Sequence, residues 1–171
     1  METYGISPLA FWAAYSTSNL IAITLIWSAK KYPVFTRAAF FVIFIAAAAA
    51  NTYIAIDSPW AYQDYADTAV PLYKQFILGA FEAIITPMIL IIALAQLTIA
   101  AAMLFKGKFL NAGCWAGIVF GISIAPLGLY AAFPATILMA VALFVLQRNQ
   151  SPLPAKKKPS KLVRIATHAL K

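Results

Sequence analysis

Four polar side chains stand out in an otherwise apolar chain as groups that could do chemistry: Asn51, Gln96, Glu82 and Tyr73. Gln96 lies furthest from either end of its apolar run. A carboxamide at that depth has two uses. It can close an interhelical hydrogen bond worth about 1 kcal/mol, or it can grip the carbonyl of a quinone or the hydroxyl of a lipid. Asn51 and the 57–83 loop, with Tyr73, would share such a pocket. Glu82 sits close to Thr86 and Pro87, where partial desolvation would raise a carboxyl pKa, unless the side chain reaches back to the interface. Asp64 and Asp67 are spaced to share a cation, but hard cations take six or more oxygens. No third ligand lies nearby, so these two read as solvated loop carboxylates and no metal site is assigned.

Other chemistries are excluded by count. The single cysteine, Cys114, allows no internal disulfide and no thiolate zinc or iron–sulfur site within one chain. The only histidine, His168, lies in the C-terminal tail, so paired intramembrane histidines cannot hold a haem. There is no Ser/His/Asp arrangement, phosphate loop or paired carboxylate spacing. No catalytic residue is assigned, and the chain reads as having no catalytic activity of its own.

The elements that position these residues follow from composition. Of 171 residues, 63% are hydrophobic and 11% are charged, too few charges to cover a water-soluble core. A bilayer core of about 30 Å needs about 20 helical residues. Apolar runs of that kind extend over Pro8 to Ala29, Ala38 to Ile56 and Ile84 to Phe105. Phe109 to Gln147 is one apolar stretch interrupted by Pro126, Gly128 and Pro134. Basic residues flank both of its ends, which calls for an even number of crossings. The stretch therefore divides into Phe109 to Ala125 and Ala131 to Gln147. The fold class is an all-α polytopic membrane helix bundle with five transmembrane helices, one membrane domain over 1–148.

Charge orients it. Lys30, Lys31 and Arg37 share one loop and Lys106 and Lys108 another, while Glu2, Asp57, Asp64, Asp67 and Glu82 occupy the alternate side with Lys74. Basic loops stay inside, so the N-terminus is expected outside and the C-terminus in the cytoplasm, in a plasma (inner) membrane. The Met1-Glu2-Thr3-Tyr4 start has no basic n-region, so the first helix is expected to remain in the mature protein. The 57–83 loop carries Trp60, Tyr62, Tyr65 and Tyr73, rings that settle at headgroup depth. It is expected to form one or two short surface helices, with a helix over Leu72 to Glu82. The 149–171 tail holds Lys156, Lys157, Lys158, Lys161 and Arg164. Beside a membrane segment this charge points to anionic lipid headgroups rather than nucleic acid. Its last segment reads either as a short basic amphipathic helix or as a solvated tail.

Gly113, Gly117 and Gly121 recur every four residues and share one helix face. Small residues let a second backbone approach closely. An internal partner helix is favoured, and another subunit is the alternative.

From Arg37 to Arg148 the chain resembles the DoxX-like family of small four-helix membrane proteins. The resemblance rests on Arg37, Ser58-Pro59-Trp60-Ala61-Tyr62, Pro71-Leu72-Tyr73, Leu94-Ala95-Gln96-Leu97, the Lys106-Gly107-Lys108 turn and the Ala125-Pro126-Leu127-Gly128 corner. It implies a four-helix core with both ends cytoplasmic, to which the first helix is an addition. It also implies association with quinone-linked oxidoreductase complexes as a membrane subunit. Many relatives carry glutamate where Gln96 stands and glycine where Ala100 stands, so no catalytic residue is carried over.

The first expectation for function is therefore a non-catalytic subunit or anchor of a larger membrane complex of quinone-linked type, with other membrane subunits as partners. The alternative is a lipid- or quinone-binding membrane protein. A small transporter or channel ranks last, because no charged residue lies mid-membrane.

Overall fold

The structure, a computed structural model, describes residues 7–150; Lys156, Lys157, Lys158, Lys161, Arg164 and His168 lie outside the described residues. Every regular element among them is helical. Helix α1 (Pro8–Lys31) starts at Ser7, whose side chain accepts from the Ala10 amide at 3.2 Å, with Pro8 in the first turn. That pairing satisfies an orphan donor and pre-sets the backbone. One non-helical residue, Tyr32, separates α1 from α2 (Pro33–Asp57), which again opens on proline. The helix therefore begins five residues before the apolar run at Ala38. Proline at the first helical position stops α1 and starts α2 in the same step.

Beyond α2 come a 3-10 segment (Pro59–Asp67), a short helix α3 (Pro71–Ile77) and a 3-10 turn (Glu82–Ile84). The helix expected over Leu72 to Glu82 ends at Ile77, where turns around Gly79 return the chain, with the Phe81 amide donating to Phe76 O at 3.0 Å. Helix α4 (Ile85–Met103) and helix α5 (Lys108–Ile124) are joined by a turn in which Gly107 has φ 65°. The apolar stretch after Phe109 does divide. Helix α5 gives way to a 3-10 segment (Ala125–Ala131) containing Gly128 at φ 79°, and α6 (Ala135–Gln150) follows. Gly128 suits that corner twice over, because a Cβ there would collide with the Thr68 carbonyl.

Contacts between helices fix their directions. Arg37, at the start of α2, donates to Met103 O at the end of α4, and Thr86, at the start of α4, donates to Ala55 O near the end of α2. These two helices are antiparallel. Helix α5 packs antiparallel against both α4 and α6, through Gly113 beside Ala102 and Gly121 beside Thr136. Helix α1 runs parallel to α6, with Phe11 edge-on to Tyr130 at one end and Asn149 donating to Ala29 O at 2.8 Å at the other. Helices α2, α4, α5 and α6 thus surround a core, and α1 lies chiefly on α6.

All five long helices run between two chemically different ends. One carries Lys30, Lys31, Arg37, Lys106, Lys108 and Arg148; the other carries Asp57, Asp64, Asp67, Glu82 and Lys74. Four helical stretches, Pro8–Lys31, Pro33–Asp57, Glu82–Met103 and Lys108–Ala131, are long and apolar enough to cross a membrane. Their outward faces are apolar: Leu9, Val34, Ile91, Leu94 and Phe109 are all widely exposed. This is the surface of a membrane protein, since lipid tails and not water can cover it.

The basic end is tied together by Arg37. Its guanidinium bonds to Met103 O from Nε at 2.9 Å and from one terminal nitrogen at 2.6 Å, and that nitrogen also reaches Phe105 O. Met103 O is one of the carbonyls a helix C-terminus leaves unpaired, at the negative end of its dipole, and Phe105 O lies in the turn just beyond. Arg37→Met keeps the stem and removes the cap. It should lower stability by about 1–3 kcal/mol, read as a drop in thermal midpoint in detergent; an unchanged midpoint would show that the cap is dispensable.

Candidate functional site

Two buried clusters divide the bundle along its length. Toward the basic end, Phe40, Phe44, Ile99, Met103, Leu110 and Leu143 pack together. Toward the other end, Tyr62, Ile77, Phe81, Ile85 and Ile89 form a second core under the 3-10 segment and α3. Between them lies a cavity of about 540 Å³. Its wall draws on both clusters, from Phe44, Gly117 and Leu143 at the deep end to Leu127 and to Tyr73 and Phe76 of α3, which with the 59–67 segment forms a cap over it. That volume falls in the range of roughly 300–1,000 Å³ found for sites that enclose small organic ligands.

The cavity exists because α4 and α5 separate. They touch where Gly113 meets Ala102 and Met103. Further along, Met88, Ile89 and Ile92 of α4 and Phe120, Ser123 and Ile124 of α5 face the cavity instead. Helix α3 lies by that gap, and Tyr73 fastens it to α5 by donating to Ser123 O at 2.9 Å. Thr68 fastens the neighbouring segment, donating to Leu127 O at 2.8 Å while the Val70 amide donates to Pro126 O at 2.9 Å.

The polar part of the wall is a directed chain of three side chains. The Tyr62 hydroxyl donates to Asn51 Oδ1 at 2.9 Å, with the Asn51 carbonyl at 3.3 Å sharing the proton. Asn51 Nδ2 then donates to Gln96 Oε1 at 2.9 Å. Gln96 is only 3% exposed, and its Nε2 has no acceptor among the described residues. Thr136, 8% exposed and in the same wall, has a buried hydroxyl with no partner among the described residues. No lining residue is charged. Nearly all of this wall is therefore hydrocarbon, interrupted by a few fixed dipoles.

Of the residues singled out in the sequence, Asn51, Gln96 and Tyr73 line one cavity, while Glu82 is exposed in the turn before α4 and does not line it. Gly117 and Gly121 face α6: a Cβ on Gly117 would meet Leu143 Cδ1 at 2.6 Å, and one on Gly121 would meet Thr136 O at 2.8 Å. The glycine face is used inside the bundle. Asp64 and Asp67 belong to no group of three or more potential metal ligands among the described residues. Sequence reasoning missed Tyr62 as a site residue. Read as a headgroup anchor like Trp60, it is 7% exposed where Trp60 is 63% exposed. Two aromatics two residues apart carry no signal of which points inward. Thr136 was missed because a helix threonine ordinarily bonds back to the carbonyl one turn earlier, so its hydroxyl carries no signal of being left over.

Burial pushes the Tyr62 phenol up from 10.0 to about 12, with neighbouring Tyr65 adding to the rise, and burial raises Tyr65 as well. Both stay protonated through the neutral range, so Tyr62 remains a donor to Asn51.

No family model matches the chain, and neither curated proteins nor solved structures give a significant match to it.

The raised phenol generates a pH prediction. An unfolded Tyr62 ionises near 10.0 and the folded one near 12, so its stabilising contribution is complete below pH 10 and is lost as pH rises toward 12. Tyr62→Phe should flatten the alkaline fall of the thermal midpoint relative to the unaltered chain. Identical alkaline slopes would contradict the buried, donating phenol.

Proposed function

We propose that this chain is an intramembrane binding protein that holds one lipophilic molecule, a quinone or a lipid, inside its helix bundle. The observation that carries this reading is the cavity, hydrocarbon-walled and lying under the 59–67 segment and α3, in which the carboxamide of Gln96 is held by Asn51 with its own donor unused. A polar group left unpartnered in an apolar interior costs free energy, and a ligand oxygen would offset that cost.

The proposal includes the membrane arrangement. Five crossings, with the N-terminus outside, the tail cytoplasmic and the plasma (inner) membrane as location, are supported by α6 running beside α1 from end to end and by the separation of basic from acidic ends. In that arrangement the basic end, with Lys156, Lys157, Lys158, Lys161 and Arg164 of the tail, would meet anionic headgroups. Membership of a larger quinone-linked complex rests on the DoxX-like resemblance alone, since the glycine face that would serve a second subunit is taken up by α4 and α6.

Filling the cavity tests the reading. Ala47 lines it and is half-buried, so Ala47→Phe should displace the occupant. Native mass spectrometry of protein extracted gently from its own membrane should show one small-molecule mass on the unaltered chain and none on the variant. An unaltered chain carrying no such mass, or a folded variant carrying the same one, would overturn the binding function.

A further inference from the structure

The wall chemistry restricts which lipophilic molecule fits, and this step rests on the binding function proposed above. We infer that the cavity selects a neutral molecule with an oxygen acceptor on an apolar body, and that Gln96 Nε2 is the group that recognises the oxygen. Two observations carry it. None of the lining residues is charged. An ionised head would therefore leave water without gaining a counter-charge, so its lost hydration goes uncompensated. Second, the hydrogen-bond chain has a direction. Tyr62 donates to Asn51, Asn51 donates to Gln96 Oε1, and Gln96 is left with N–H groups that have no acceptor among the described residues. The wall thus offers a donor at that point and asks for an acceptor.

The roles divide accordingly. Gln96 touches the ligand. Asn51 and Tyr62 are positioning residues, because their bonds hold the carboxamide with its oxygen toward α2 and its nitrogen toward the remaining space. Hydrophobic fit with the wall supplies affinity without discriminating between heads. The uncharged donor discriminates, favouring ester, ketone or hydroxyl oxygen over plain hydrocarbon and rejecting carboxylate or phosphate. Anionic lipids belong at the basic end of the bundle and not in this cavity.

The test is a head-group series on one chain length, using the full-length protein in nanodiscs of uncharged lipid. Hexadecane, hexadecanol, methyl hexadecanoate and ionised hexadecanoate compete with a fluorescent apolar probe. The inference expects methyl hexadecanoate and hexadecanol to bind about fivefold more tightly than hexadecane, and hexadecanoate to bind at least about tenfold more weakly than its methyl ester. Gln96→Leu should reduce the ester to the affinity of hexadecane while hexadecane itself is unchanged. Gln96→Met, which is closer in shape, should do the same. Hexadecanoate binding as tightly as its ester would overturn the inference and leave the binding function standing. So would a preference for hexadecanol over an ester that binds no better than hexadecane, because a donor in the wall cannot tell the two apart. Failure of all four to bind would remove the binding function itself. The series on the unaltered chain decides the matter even if both variants fail to fold.

Discussion

The hydrogen bond from Asn51 to Gln96 does two things at once, and much of the architecture depends on both. It joins α2 to α4 near mid-bundle at 2.9 Å, between the Arg37 bonds at one end of the pair and the Thr86 bond at the other. Within hydrocarbon there is no water to satisfy a carboxamide, so each amide must find a protein partner or a ligand. Two amides bonded once to each other still have capacity left. Tyr62 takes up the Asn51 oxygen from the cap. That bond anchors the 3-10 segment over the cavity, so the polar chain running through the wall also holds the cap in place.

The cavity is a consequence of side-chain size as much as of helix placement. On the α5–α6 side, Gly117 and Gly121 remove the side chains that would keep the helices apart. On the α4–α5 side, α4 presents Ile89 and Ile92, and α5 presents Phe120 and Ile124; the helices face each other across open space. Tight contact on one side and separation on the other give a bundle that is solid toward its basic end and hollow toward its cap. The cap is built from short 3-10 segments rather than long helices. Backbone and side-chain bonds from Thr68, Val70 and Tyr73 to the α5–α6 connection hold it.

How far this was legible in the sequence depends on the kind of signal. Apolar runs of membrane length survive any detail of packing, so the four long apolar helices and the break around Pro126 and Gly128 could be read directly. Helix starts were misplaced where proline opened a helix ahead of its apolar residues, as at Pro33. In the site, Asn51 and Gln96 were visible because polar amides are rare in such runs. Their mutual bond was not, since it depends on the register between α2 and α4. Tyr62 and Trp60 have the same type of side chain and the same neighbourhood, and only the folded 3-10 segment separates the inward ring from the outward one. A cavity is the hardest feature to foresee, because it is made by what α4 and α5 fail to fill.

The proposed binding depends on the Gln96 amide protons facing the cavity and bonding to its occupant. Nitrogen-15 labelling of glutamine side chains, with the Gln96 pair assigned by its loss in Gln96→Leu, allows those protons to be followed by nuclear magnetic resonance. On saturation with methyl hexadecanoate, one Gln96 Nε2 proton should move downfield as it acquires an acceptor, while the signal of Gln147, at the basic end, stays in place. A saturated protein whose Gln96 amide signals do not move would contradict the account.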